Sequence, residues 1–557
     1  MRNSKMKKLI NLILIFYLCI NILQSAPNTQ LEQAKNLFEQ GKLLEAEKKF
    51  QQLIKEEPQK SEYYLYLGKI HTFLGQENIE QATKEFLTAL KLDPNNPEIY
   101  NQLGLLYYFQ GYLNTCIFYL EKAVELNPAN SDYQYNLGIA YQKAQEISNS
   151  IKHLEKAREL TQEKDFQVLK NLAINYIIKE EFENAITLLE KAIKLKPDDA
   201  ELYGYLGLSL LKKGMLEKAV IEYQKAIQLA PDVATYHNDL GFIYDKLGRK
   251  DYALKEYKEA VRLDPTDTLN RRNLAIFYQR ILKLDEAEKE FKEILKQIPA
   301  SASDHDNLGF NYYLKGEYDK ALAEIQKAIE LAPTVAEYYT DLGSVYLKLE
   351  KYPEALQAFQ HSIELDPAFS LAYNRLGRYY QLQGNVQQAE EKLKKALSLD
   401  PQNILFILDL ANLYIMEEKL NEAERILLEA KKTATANPEI YALLKEIYIR
   451  EGDTKKAEAI EKEAQKEGIS LSDVSTPPKT PVNEATPLST PKIVALTTPA
   501  PKATLTPSPS PQVTPSPIPT QTPIATPAPK ATLTPSPSPQ VTPSPIPTQT
   551  PIATPTP

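Results

Sequence analysis

The chain has 557 residues and a formal net charge of −8 at pH 7, with 43% hydrophobic residues, ample apolar material for burial. Two cysteines exclude a disulfide framework, and the acidic balance opposes nucleic-acid binding, which needs positive charge against phosphate. Length alone suggests three or four globular domains, but a 34-residue repeat overrides that count, because a repeat array is one stack without a central core.

Residues 1–26 read as a targeting segment. Arg2, Lys5, Lys7 and Lys8 precede an apolar run over residues 9–23, the layout of a secretory signal. As a helix that run spans roughly 22 Å, short of a bilayer core. Two outcomes stay open: cleavage after Ser25 or Ala26, or retention as a signal anchor that holds the chain at the membrane through residues 9–23. In either case the repeats are exported, to a periplasmic, membrane-anchored or surface position. Cys19 follows Leu18, too large for a lipoprotein signal, and reads as one apolar residue among others.

Residues 27–468 carry the repeat. A clear copy is residues 200–233, AELYGYLGLSLLKKGMLEKAVIEYQKAIQLAPDV. With Ala200 as position 1, Tyr203, Leu206, Gly207 and Leu210 fill positions 4, 7, 8 and 11, the stripe of an amphipathic helix. Ala219, Tyr223 and Ala226 at positions 20, 24 and 27 predict a second helix. Gly214 at position 15 separates the two, and Pro231 at position 32 stops the second. Two short helices cannot bury their stripes alone, so neighbouring hairpins must stack. Of the 18 glycines, 16 fall at position 8 or position 15. The first set is expected to let the helices touch backbone to backbone, the second to permit positive φ. Thirteen copies start near residues 27, 61, 97, 131, 166, 200, 234, 268, 302, 336, 370, 404 and 438. Tyrosines at position 11 in ten copies, Tyr107 to Tyr448, read as core packing rather than as a base-stacking surface.

This order of aromatic, Leu, Gly or Ala, Tyr, Ala, aromatic or Leu, Ala and Pro resembles the tetratricopeptide repeat. The resemblance implies an all-α, right-handed superhelical solenoid of about 13 helix hairpins. Departures are local. Trp is absent, and position 4 holds Tyr64, Tyr100, Tyr203, Tyr339, Tyr373 and Tyr441, or His237 and His305. The second copy carries two extra residues around 77–81. The fourth has Ser150 at position 20 and Gln162 in place of Pro. The thirteenth has Lys445 and Glu461 in apolar positions, which suits a solvated end cap.

Residues 469–557 differ in kind. From Ser475 onward, 25 of the chain's 39 prolines occur, and residues 500–527 recur unchanged as 528–555. Such Pro/Thr/Ser-rich sequence builds no core and is expected to be a disordered tail of polyproline II and coil. A spacer, a stalk, a sugar-bearing segment or a strand threaded through a cell wall fits it, as does a tail without function.

The sequence contains no catalytic or metal motif: no HExxH, CxxC, phosphate loop, GxSxG or calcium loop. No cofactor or metal is expected. Each of the five histidines occupies a structural position, and Cys116 at position 20 reads as a buried stand-in for Ala. Without residues 1–26 the net charge is −12, and the stretch from Ser475 is +3, so the array stands near −15. Nucleic acid is therefore not an expected partner, with Arg271, Arg272 and Arg280 as the local exception.

The resemblance implies that positions 2, 5, 6, 9 and 12 line a concave groove that holds an extended peptide or a partner helix. Position 6 reads Asn136, Asn171, Asp239, Asn273, Asn307, Asp341 and Asp409, interrupted by Tyr205 and Arg375. Amides can bond any peptide backbone, and this row resembles the asparagine ladder of protein O-linked N-acetylglucosamine transferases, although only four are Asn. Positions 9 and 12 add an apolar lane: Leu105, Tyr108, Ile139, Ile174, Ile177, Leu208, Leu211, Phe242, Ile276, Phe310 and Tyr313. The carboxylate clamp of chaperone-binding members needs Lys at position 5 and Asn at position 9. Here Lys170 meets Ile174 and Arg272 meets Ile276, so that partner is rejected. The expected function is a non-enzymatic scaffold that binds peptide or protein segments in its groove and assembles a cell-envelope complex. Two other readings stay open: a substrate-recruiting subunit of a protein glycosyl-transfer system, and a surface structural protein acting through its tail on cell wall or glycan.

Overall fold

The computed structural model describes residues 29–434 and 437–471. The targeting segment and nearly all of the Pro-rich tail, with the expectations attached to them, lie outside the described residues. Within them, twenty-six α-helices pair into thirteen consecutive hairpins, from Thr29–Glu39 with Leu43–Glu56 to Pro438–Arg450 with Thr454–Lys466. The described residues contain no strand. The two extra residues of the second hairpin are taken up by a short 3-10 turn, Gln76–Asn78.

Helix ends follow from the residues placed there. Asn96, Asn130, Asp165, Asp199, Asp267 and Asn437 each accept a backbone N–H at the start of a leading helix, satisfying donors that the helix leaves open. At the other end, position 15 adopts the left-handed conformation in every hairpin. Eight glycines do so with φ from 71° to 105°. Gln145, Glu180, Leu282, Glu350 and Glu418 do the same at 58° to 63°. The reason is the turn itself. The N–H of position 16 bonds the carbonyl of position 11, as Met215 does to Leu210 at 2.9 Å, and this 6→1 closure requires a left-handed residue before it.

At position 8 the facing backbone comes close at Gly104, Gly138, Gly309 and Gly377, with a Cβ there 3.2–3.4 Å from it, but a side chain comes closer still. A Cβ on Gly68 would lie 2.5 Å from the Phe86 ring, and one on Gly343 would lie 2.6 Å from the Phe359 ring. Gly104, Gly138, Gly207, Gly309 and Gly377 meet the position-24 side chain of their own hairpin in the same way. The missing side chain makes room for a large one from the facing helix, which is how a two-helix unit reaches core density.

Position 4 ties seven of the thirteen hairpins to the one before. Tyr64, Gln134, Tyr203, His237, Arg271, His305 and Tyr339 each bond the carbonyl of the proline six residues upstream, at 2.9–3.3 Å. What these four residue types share is a long side chain with a polar tip, so their interchange follows from one hydrogen bond.

Each leading helix packs on its own trailing helix, each trailing helix packs on the next leading helix, and successive leading helices also approach one another. The stack therefore closes up on the leading-helix side, which becomes the concave face. One apolar cluster runs without a break from Leu105 to Ala358, and a second joins the last three hairpins. The position-11 tyrosines contribute to this core while their hydroxyls bond out of it. Tyr176 donates to Glu155 at 2.9 Å, Tyr312 to Glu288 at 3.1 Å and Tyr448 to Glu424 at 2.8 Å. Cys116 is fully buried, and burial pushes its thiol up to about 12.

Candidate groove on the concave face

The position-6 row runs along the leading helices, but its side chains bond within the stack. Asn136 Nδ2 donates to Asn101 Oδ1 at 3.0 Å, Asn171 Nδ2 to the Tyr135 hydroxyl at 3.0 Å, and Asn273 Nδ2 to Asn238 Oδ1 at 2.9 Å. Asn374 Nδ2 donates to Asp409 Oδ2 at 2.8 Å. Each bond joins position 6 of one hairpin to position 5 of its predecessor. Asn136, Asn171, Asp239, Asn273 and Asp341 are buried, and Asn307 and Asp409 are half-buried. In Asn136, Asn171 and Asn273 the amide N–H is thus taken up inside the stack, where the converging leading helices bring the side chains together, rather than left open to a passing peptide backbone as expected.

The expected apolar lane is divided between the core and the surface. Leu105, Ile139, Ile174, Leu208, Leu211, Ile276, Phe310 and Tyr313 are buried between hairpins. Tyr108, Ile177 and Phe242 remain half-buried at the surface. A lane missed in the sequence lies at position 13, on the last turn of the leading helices. Phe73, Phe109, Ile178, Leu382 and Met416 are exposed there, Phe109 by 65%. The signal was present: Lys or Arg fills this position in most other hairpins, as at Lys143, Lys212, Lys246, Arg280 and Lys348.

The basic residues set aside as an exception are paired. Arg272 grips Asp304 through Nε and Nη2, both at 2.6 Å, and Asp304 is fully buried. Arg271 bonds Glu290 at 2.5 Å, and Arg280 bonds Asp245. Lys170, at the rejected clamp position, bridges to Glu201 at 2.9 Å. These cations are committed to the fold rather than displayed for phosphate. The histidines are satisfied too: His71, His237 and His305 each hold a glutamate through Nδ1 at 2.6–2.7 Å. Ser150, an apparent misfit, donates to the Gly138 carbonyl at 2.6 Å and accepts from Asn175 at 2.7 Å.

Farther along the groove, burial pulls the Arg375 guanidinium down to about 10, with Arg378 adding repulsion and Asp409, Tyr313 and Asp341 opposing it. Lys348 is also lowered, first by burial and then by Arg378. Among the described residues no group of three or more His, Cys, Asp or Glu could hold a metal ion, and no helix is long and apolar enough to cross a membrane.

Among the described residues, thirteen stacked helix hairpins define a helical-repeat solenoid. Comparison with known families agrees. Models described as tetratricopeptide repeat match residues 31–72, 97–130, 234–267, 299–368, 340–404 and 380–447. A further TPR repeat model matches residues 71–111, 175–214 and 207–248. Together they span more than half of the chain, which belongs to the tetratricopeptide repeat family, typically non-catalytic scaffolds for protein–protein interaction. No curated protein matches the chain. Similar solved structures include a tetratricopeptide repeat protein from Parabacteroides merdae, 19% identical, covering 45% of this chain and 98% of its own, with a TM-score of 0.41. Yeast Tom70 is 16% identical, covering 74% of this chain and 97% of its own, with a TM-score of 0.37. YrrB, described as a TPR protein with an unusual peptide-binding site, is 21% identical, covering 34% of this chain and 96% of its own, with a TM-score of 0.31.

Proposed function

We propose that the chain is an exported scaffold that holds extended or helical protein segments along its concave face and so assembles a complex at the cell envelope. The observation that carries this reading is the set of apolar side chains left at the surface of the leading helices: Tyr108, Ile177 and Phe242, with Phe73, Phe109 and Ile178 beside them. Apolar surface repeated along one face of a soluble array is the mark of a protein-binding surface. Export rests on the basic and apolar order of residues 1–26, and residues 9–23 are a proposed membrane anchor where that segment is retained. The tail is proposed as a spacer that reaches cell wall or glycan. The glycosyl-transfer reading depended on open asparagine amides and loses that support.

The test compares the full chain, a chain ending at residue 471 and residues 472–557 on a carrier, each used to retrieve crosslinked partners from native envelopes. The expected result is the same partner set for the first two. Partners retained by the tail alone would replace this reading with the structural one.

A further inference from the structure

Gly204 stands apart from the other glycines. It lies inside the leading helix Ala200–Lys212 at position 5, outside both recurring glycine positions, where Gly costs about 1 kcal/mol against Ala. A Cβ there would come within 2.7 Å of Tyr236 Cε1 in the next hairpin. The glycine admits that ring over the helix, and a recess opens beside it on the concave face. The space it encloses is about 10 Å3, room for one water-sized group, beneath a mouth that opens to solvent. Tyr205, Tyr223, Tyr236 and Leu208 form the walls, with Asp239 and Glu201 as the acidic members. The Tyr223 and Tyr236 rings sit 6.4 Å apart, tilted by 56°.

No cation lines this recess. Asp239 is 6% exposed, and its oxygens accept from the neutral Tyr223 hydroxyl at 3.0 Å and Asn238 amide at 3.3 Å. Lys212 acts on it only through space, and Lys170 is engaged with Glu201. A buried carboxylate with neutral partners is costly unless a positive charge completes it. Burial holds the Asp239 carboxyl up at about 7, in keeping with that incomplete pairing. Aromatic faces carry negative potential and attract cations, most strongly where water is excluded. An apolar ligand would gain from the rings but would strand the carboxylate.

We infer that this recess between the sixth and seventh hairpins is a subsite for the ammonium head of one lysine of the protein segment lying in the groove. The assignment rests on the groove-binding reading and adds a chemical class of partner to it. The net charge near −15 over the array favours the same partner at longer range.

The test pans a random peptide display library on the full chain, keeps peptides that crosslink to a photoreactive residue at position 242, and measures each with its lysines replaced singly by norleucine. One replacement is expected to weaken binding by about tenfold or more on the wild type and to have little effect on Asp239→Asn. Glu201→Gln at the exposed mouth repeats the cycle, with a smaller loss of coupling, should Asp239→Asn fail to fold. Groove-bound peptides without a required lysine, or with equal losses on wild type and both variants, would overturn the subsite and leave the groove reading standing. Failure to recover any groove-bound peptide would remove both.

Discussion

Leu282 sits at a turn position with φ of 58° and is 74% exposed, so it contributes little packing where its backbone is strained. The left-handed conformation costs an L-residue about 1–2 kcal/mol, and glycine returns about 0.5–1 kcal/mol of that as unfolded-state entropy. Leu282→Gly is expected to raise the melting temperature, by a gain of about 0.5–1 kcal/mol; an unchanged or lower value would contradict the turn geometry. Position 8 gives the opposite lesson. An alanine at 343 would meet the fully buried Phe359 ring at 2.6 Å, whereas one at 241 would meet Tyr257 at 3.0 Å. Helix propensity favours Ala by about 1 kcal/mol at both. Gly343→Ala should therefore cost about 1–3 kcal/mol through overpacking, and Gly241→Ala should come out near neutral. Equal losses in denaturant melts would show that the gap at position 8 is not what sets the price. The spacing of these glycines was legible in the sequence. Their partner was not, because spacing reports which face a residue occupies and not how far away the facing atom lies.

Between helices, the connections that hold hairpin to hairpin are polar as much as apolar. Arg272 and Asp304 are a nearly enclosed bidentate pair joining the eighth and ninth hairpins. Removing one partner of such a pair strands the other, at about 3–5 kcal/mol, while replacing both with apolar residues is often neutral. Arg272→Met should sharply raise hydrogen exchange in Thr268–Arg280 and Ala302–Lys315, and adding Asp304→Leu should restore much of the protection. Additive loss in the double variant would contradict this account. The asparagine row shows where reading by element stops. Four of its members make the same bond from position 6 to position 5, and the repeat placed them correctly on the leading helix. Whether that side faces a ligand or the next helix depends on how closely leading helices converge, a property of the stack rather than of any one copy. The proline carbonyls bonded by position 4 were hidden for a related reason: Tyr, His, Gln and Arg look unrelated on a hydropathy pattern, and their common donor shows only once the upstream turn is in place.

Over the whole molecule, buried and surface carboxylates pull stability in opposite directions with pH. Asp239 is raised to about 7 by burial, with Tyr223, Asn238 and Lys212 working against it, and Asp306 is raised well above its ordinary value by burial, then by Asp341 and Glu337. A carboxyl raised in the fold is stabilised by protonation, so its unfavourable charge is relieved as pH falls from about 7 toward 3.8. For Glu288, burial alone would raise the carboxyl, but hydrogen bonds from Lys292, Lys315 and Tyr312 outweigh it and hold it at about 2. Lys394 and Lys419 hold Glu390 at about 2. Those depressed groups stabilise above 4.5, and that contribution is lost as pH falls from 4.5 toward 2. In urea melts, the advantage of Asp239→Asn over the wild type should therefore be largest at pH 8 and shrink toward pH 5. An advantage that grows on acidification would refute the sign of the Asp239 shift.

The central claim is that protein segments lie on the leading-helix face. A photoreactive residue placed in the full chain at Tyr108 or Phe242 on that face, and at Lys255, 79% exposed on a trailing helix, reads it directly in native cells. Defined protein adducts are predicted from 108 and 242 and not from 255. Adducts from 255 with none from the other two would contradict the account.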